Sequence, residues 1–317
     1  MLQNLDSGPV PSPEINAASA AQKAHVLVLG GGGFIGRAVV ADLLGRGCRV
    51  TGLVRNTPLP DGAVSVRGDI RDFDWRQLET DLPDAIVHLA RIPGRRRLSR
   101  WWAGRQGKRA SKRLLRWLES LERLPLTVYV SGTLVYGDRG TLPTDESAPL
   151  NPIAFQRDYV KAELPFLETL GRLPVSVVRP PWVIGPGSWF QQFYVQAARN
   201  GGKLTQFGEG QNLMSLIQVQ DCAAQISAVA LGGEAVRGRI FNTCAVPALT
   251  HEAFVRLSAE VLGCGITKVS ESELRRKYGQ TVYEALTFSM DVRSREPLIG
   301  DFPNRFPTAE AAIRASL

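Results

Sequence analysis

Three glycines, Gly30, Gly33 and Gly36, fall at every third position between an apolar run, AHVLVL (24–29), and a helical pattern running from Phe34 through Leu44. A G-x-x-G-x-x-G turn at a strand–helix junction suits a diphosphate. Glycine lets the anion approach the backbone closely, and the helix N-terminus supplies unpaired amides and the positive end of the helix dipole. On this reading Gly30, Gly33, Phe34, Ile35 and Gly36 hold the diphosphate of a dinucleotide.

The end of the next apolar run, RVTGLV (49–54), should choose between two cofactors. A carboxylate there binds the ribose hydroxyls of NAD, whereas a cation accepts the 2′-phosphate of NADP. The chain has Leu53-Val54-Arg55 with no acid, and Arg37 lies just past the glycine turn. Two arginines near one phosphate favour NADP(H) over NAD(H).

A third charged feature is local. Residues 91–116 hold 11 Lys and Arg and no Asp or Glu, out of 38 basic and 30 acidic residues in the whole chain. The rest is therefore mildly acidic, and the net charge of +8 belongs to one segment. Leu114, Trp117, Leu118 and Leu121 recur at helical spacing, so the second half of this segment opens an amphipathic helix. The first half, with Trp101 and Trp102 among arginines, reads as a loop or lid. It suits an anionic or carrier-bound small-molecule substrate, or simply a solvated basic face. Nucleic acid is a weaker fit, since one short patch is thin support.

The elements that would carry these residues are short and rich in Val and Ile: 24–29, 49–54, VSV (64–66), AIVHLA (85–90), LTVYVS (126–131) and VSVVR (175–179). Most are separated by helix-length segments, the pattern of an α/β parallel sheet covered on both faces. After Arg179 the chain becomes loop-rich around an expected helix over 189–200. Strand-like pieces follow at 216–219 and 239–242, with helices expected at 254–262, 271–278 and from Thr308. Ser270 with Glu273 three residues on reads as a capping box. The expected organisation is a Rossmann-type doubly wound sheet over 24–180 plus about 213–245, with a smaller, intertwined C-terminal substrate lobe built from 181–212 and 246–317. Residues 1–23, rich in Pro, Ser and Ala, read as a disordered tail without the features of a signal peptide.

With 44% hydrophobic and 21% charged residues the composition is that of an ordinary globular protein, and no apolar run is long enough to span a bilayer. Four scattered cysteines, Cys48, Cys222, Cys244 and Cys264, suggest free thiols in a reducing cytoplasm and offer no metal-ligand spacing. His25 and His251 likewise lack ligand partners at useful spacing, and no metal is expected.

LGGGGFIG (29–36) resembles the glycine motif of the extended and atypical short-chain dehydrogenase/reductase superfamily, the NAD-dependent epimerase/dehydratase-like proteins. Later segments follow the same order: RGDI (67–70), HLA (88–90), VYG (135–137), RPPWVIGPG (179–187), LIQVQDCA (216–223) and FPTAEAAI (306–313). The resemblance implies that Asp69, with Ile70, meets the adenine. It also implies that Leu89 and Ala90 lie beneath the nicotinamide ribose, that His88 supports the backbone there, and that the helix opened by the second half of the basic segment can pack in a homodimer.

The family's proton relay is a Tyr and a Lys four residues apart on one helix, with a Ser or Thr on the preceding strand. The tyrosine exchanges a proton with the substrate oxygen, and the lysine lowers the phenol pKa and holds the ribose. Here the segment is Gln156-Arg157-Asp158-Tyr159-Val160-Lys161-Ala162-Glu163. Tyr159 and Lys161 are two apart, roughly 200° around a regular helix. Keeping Lys161 puts Arg157 in the tyrosine place; keeping Tyr159 puts Glu163 in the lysine place. A third arrangement sets Tyr159 in the helix's entry turn. The usual hydroxyl position falls on Gly132, between Ser131 and Thr133. The resemblance thus implies an NADP(H)-dependent oxidoreductase or epimerase acting on a small carbonyl or hydroxyl compound. Its rearranged relay would be Tyr159, Lys161 (which would also touch the cofactor) and Thr133 or Ser131. A catalytically silent NADP(H)-binding sensor or assembly factor is the alternative, and a nucleic-acid-binding relative is a third reading.

Overall fold

Val, Ile and Leu at alternate positions are buried on both faces of each central strand, as a covered parallel sheet requires. Val26 and Val28 enter one apolar cluster, and Leu27 and Leu29 the other. The computed structural model describes residues 23–94 and 96–317; all but Lys23 of the expected tail lies outside them. The strands are β1 (His25–Leu29), β2 (Arg49–Val54), β3 (Val64–Arg67), β4 (Ala85–His88), β5 (Leu126–Val130), β6 (Val175–Arg179) and β7 (Ile240–Asn242). They form one parallel sheet in the order β3-β2-β1-β4-β5-β6-β7. The chain leaves β1 toward β2 and β3, then returns to β4 on the opposite side. This reversal opens a crevice at the carboxyl ends of β1 and β4, where a doubly wound sheet binds its ligand.

Helices α1 (Phe34–Gly45) and α4 (Val219–Ala230) cover one face, while α2 (Arg97–Glu119) and α3 (Val160–Leu167) cover the other. Gly47, at φ +80°, closes α1 by donating its N–H to Leu44 O at 2.9 Å.

Helix α2 corrects the expectation of a loop before Leu114, since it runs unbroken from Arg97. The reason is tertiary. Gly104, Gly107 and Ser111 line one side of α2 and let it press against the chain entering α3. A Cβ on Gly104 would lie 2.2 Å from Asp158 O, and one on Gly107 3.0 Å from the Ala162 Cβ. Ser111 Oγ donates to Ala162 O at 2.8 Å. Glycines that weaken a helix by propensity are required here by contact.

The C-terminal part of the chain contributes a further apolar cluster, including Phe190, Tyr194, Leu204 and Phe254. Its helices are α5 (His251–Leu262), α6 (Glu271–Tyr278), α7 (Gln280–Thr287) and α8 (Ala309–Arg314). Thr250, Ser270 and Thr308 each cap a helix by accepting a backbone N–H at 3.1–3.2 Å. The helix expected over 189–200 is present and runs without a break from Trp189 to Gly201, with a wide π turn at Gln191–Val195. Among the described residues no helix is long and apolar enough to cross a membrane, and no His/Cys/Asp/Glu group could hold a metal. All four cysteines are free.

Candidate functional site

The glycine turn is set by close packing. Gly30 has φ +85°, and a Cβ there would stand 2.8 Å from Ala90 N. A Cβ on Gly36 would stand 2.1 Å from Gly30 O, so α1 can start this close to β1 only with glycine. Gly33 donates to Gly30 O at 3.0 Å and caps α1 through its backbone alone. The first turn of α1 holds no acidic residue, which leaves its amides and positive dipole end for an external anion.

Two adjoining cavities of about 320 and 650 Å³ run over this turn and share Gly30, Gly33, Phe34, Ile70, Leu89 and Ala90. Together they form a groove across the carboxyl ends of β1 and β4. The cradle that a Cβ would fill, the bare helix start and the groove fit a dinucleotide. Ile35 and Gly36 line the smaller cavity; Arg55 and Asp69 line the larger. Arg71 holds the Asp69 carboxylate through two bonds of 2.9 and 2.8 Å, which keeps its pKa below the usual carboxylate range. Arg55 lies 3.8 Å from the same carboxylate and stays largely exposed. Arg37 is not among the lining residues; it donates to Pro58 O at 2.9 Å.

The predicted relay is only partly brought together. Tyr159 and Ser131 line the smaller cavity, with Gln156, His88 and Tyr129. Lys161 and Thr133 line neither cavity. Lys161 Nζ sits 2.7 Å from the Asp158 carboxylate, and Thr133 is buried in a tight turn below Gly132. The entry-turn arrangement does not rescue the pair. Helix α3 begins at Val160, yet Tyr159 already has helical angles (φ −74°, ψ −30°), and Val160 N–H bonds to Gln156 O. Helical spacing therefore applies, and Gln156, Tyr159 and Ala162 form the cavity face while Lys161 points elsewhere. The cations lining the two cavities are Arg55, Arg71 and Arg91, with no lysine among them.

Tyr159 is itself engaged. Its hydroxyl accepts from Gly94 N–H at 3.0 Å and donates to Gly94 O at 3.2 Å, while the Arg91 guanidinium stacks 4.3 Å over its ring. Burial pushes the Tyr129 phenol well above its ordinary range and the His88 imidazole down to about 4, so both are neutral near pH 7.

Sequence reasoning missed a buried network behind the cavity. Ser131 Oγ donates to Glu163 at 2.5 Å, and Glu163 accepts from Arg179 Nε and Nη2 at 2.8 and 2.6 Å. Arg179 Nη1 bonds to the Tyr136 hydroxyl, which donates to Asn242 Oδ1 at 2.8 Å. Tyr136 thus joins a polar network. The available signals were Glu163 four residues past Tyr159 and an arginine closing an otherwise uncharged strand.

The chain matches the model of the NAD dependent epimerase/dehydratase family over residues 26–244. It is 28% identical over 308 residues to epimerase family protein SDR39U1 of Bos taurus, covering 92% of this chain and 98% of that protein. The crystal structure of human SDR39U1 (isoform 2) with NADPH superposes with a TM-score of 0.75 at 24% identity, covering 92% of this chain and 98% of the other. dTDP-glucose 4,6-dehydratase from Bacillus anthracis in complex with NAD gives 0.75 at 20% identity, with coverages of 92% and 95%.

Proposed function

Because the chain belongs to the NAD dependent epimerase/dehydratase family, we propose that it is an NADP(H)-dependent oxidoreductase or epimerase acting on a small carbonyl or hydroxyl compound. The observation that carries this reading is the groove itself. It runs from Arg55, which follows a second strand that ends without an acidic residue, over the glycine turn to Tyr159 and Ser131. The NADPH in the human SDR39U1 structure supports the same preference.

A nicotinamide bound at the Tyr159 end supplies hydride exchange. The protein's part is then proton handling without a lysine. Ser131 spends its proton on Glu163, so its free lone pairs accept a hydrogen bond from a substrate hydroxyl. Tyr159 exchanges its Gly94 contacts for the substrate oxygen and passes or takes the proton there. The test is titration with NADPH and with NADH, followed by single-turnover oxidation of bound NADPH with a panel of aldehydes and ketones. Tighter binding of NADPH and its oxidation by at least one carbonyl are expected.

A second reading, a catalytically silent NADP(H) binder, is favoured by one observation: Lys161 is paired with Asp158 and absent from the cavity. Tight NADPH binding without oxidation by any carbonyl would select it.

A further inference from the structure

A third cavity, of about 530 Å³, lies in the C-terminal part of the chain between the Gln191–Val195 turn, helix α7 and the short strand Trp182–Ile184. Its walls are aromatic and aliphatic, with Phe155, Trp182, Trp189, Met214, Phe207 and Phe288 among them. No Asp, Glu, Lys or Arg lines it. The polar groups it offers are neutral amides and hydroxyls, such as Asn200, Thr205 and Thr281. Its histidine is also uncharged: His251 stacks on Phe207, Nε2 is bonded to the Tyr194 hydroxyl, and burial pushes its pKa down to about 4.

Phe155 ties this cavity to the dinucleotide groove. Its ring is 5.7 Å from that of Tyr159, which lines the groove, and the Arg91 guanidinium contacts both rings, at 5.8 Å and 4.3 Å. The apolar cavity thus begins one side chain from the residue placed at the reacting end. A ligand there would lie with its body among the indoles and its head toward Tyr159.

We infer that this cavity is the substrate chamber and that it takes an uncharged, largely apolar carbonyl or alcohol, an aromatic or branched aliphatic compound, and not a nucleotide sugar. A nucleoside diphosphate would carry two negative charges into a wall with no cation, and desolvating an unpaired phosphate is prohibitive. An apolar body gains by leaving water, and a volume of this size holds a drug-sized molecule. The inference rests on the oxidoreductase reading for what is done to the ligand, but not for its binding. It also separates the substrate from the basic face of α2, whose residues do not line this cavity.

The test uses the full-length protein and Prodan, a neutral naphthyl ketone whose emission shifts to the blue in apolar surroundings. Saturable binding is expected, unaffected by a large excess of UDP-glucose. Ala285→Trp and, from the opposite wall, Ala197→Trp should each weaken it by tenfold or more and leave NADPH affinity unchanged. Circular dichroism of each variant identifies any that fails to fold, and the other then carries the comparison. Displacement of Prodan by UDP-glucose, no saturable binding, or full affinity in the folded variants overturns the proposal. Prodan binding without oxidation of NADPH by any carbonyl leaves the chamber standing and removes the oxidoreductase reading; NADPH oxidation without Prodan binding does the reverse.

Discussion

The Tyr159 hydroxyl and the backbone of Gly94 hold each other by two hydrogen bonds, one in each direction. The pairing closes the segment before α2 onto the start of α3, and it occupies the phenol that the chemistry would need. Gly94 has no room for a larger residue, because a Cβ there would lie 2.6 Å from Arg100 N.

Replacing Tyr159 therefore separates structure from catalysis. Tyr159→Phe should lower turnover by about 10²–10⁴-fold, the usual contribution of one positioned acid or base. It should also cost roughly 1 kcal/mol of stability from the lost Gly94 bonds. Lys161→Ala should change turnover and NADPH affinity little, since its ammonium lies outside the groove. Steady-state kinetics and urea unfolding check both. Undiminished turnover in Tyr159→Phe removes it as the acid, and a tenfold fall in Lys161→Ala would show that the lysine reaches inward.

Cofactor choice is expected to turn on Arg55. Arg55→Asp should weaken NADPH by about 1.5–3 kcal/mol, the worth of a charged hydrogen bond, and spare NADH. Fluorescence titration of both cofactors measures it; equal losses for the two would place the 2′-phosphate elsewhere.

The Glu163–Arg179 pair is fully buried, with both side chains at 2% exposure or less. Glu163→Gln leaves the guanidinium uncompensated and should destabilise the fold by about 3–5 kcal/mol. It also frees the Ser131 hydroxyl from its acceptor. Urea midpoints within experimental error of wild type would mean the network contributes no net stability.

His251 makes acid sensitivity predictable. Its pKa is about 4 when folded against 6.5 as the reference value, so between these the unfolded chain binds a proton that the folded chain does not. Its contribution is intact above pH 6.5, is lost progressively as pH falls toward 4, and amounts to about 3 kcal/mol. His251→Gln keeps an amide nitrogen for Tyr194 and removes the titration. Stability measured from about pH 7 to about pH 5 should fall less steeply in this variant, by roughly one proton in the slope. Identical slopes would show that the imidazole is already solvated.

The sequence alone determined the parts of this protein governed by local geometry. Short runs rich in Val and Ile, separated by helix-length segments, marked the sheet strands, with VSVVR matched residue for residue by β6. The spacing of Gly30 and Gly36 announced the cradle because only glycine tolerates those approaches. The two-residue separation of Tyr159 and Lys161 denied them a common face on a regular helix, and the fold decided that helical geometry already holds at Tyr159. Tertiary structure decided what depends on partners far along the chain. Helix α2 starts at Arg97, not near Leu114, because Gly104 and Gly107 meet residues more than fifty positions later. Arg37 turns to Pro58 while Arg55 stays on the groove. Tyr159 is held by Gly94, and Glu163 by Arg179. Each is a choice among partners of similar chemistry, and packing makes it: a side chain takes the partner that the fold brings within hydrogen-bond reach, and that distance is not written in any local pattern.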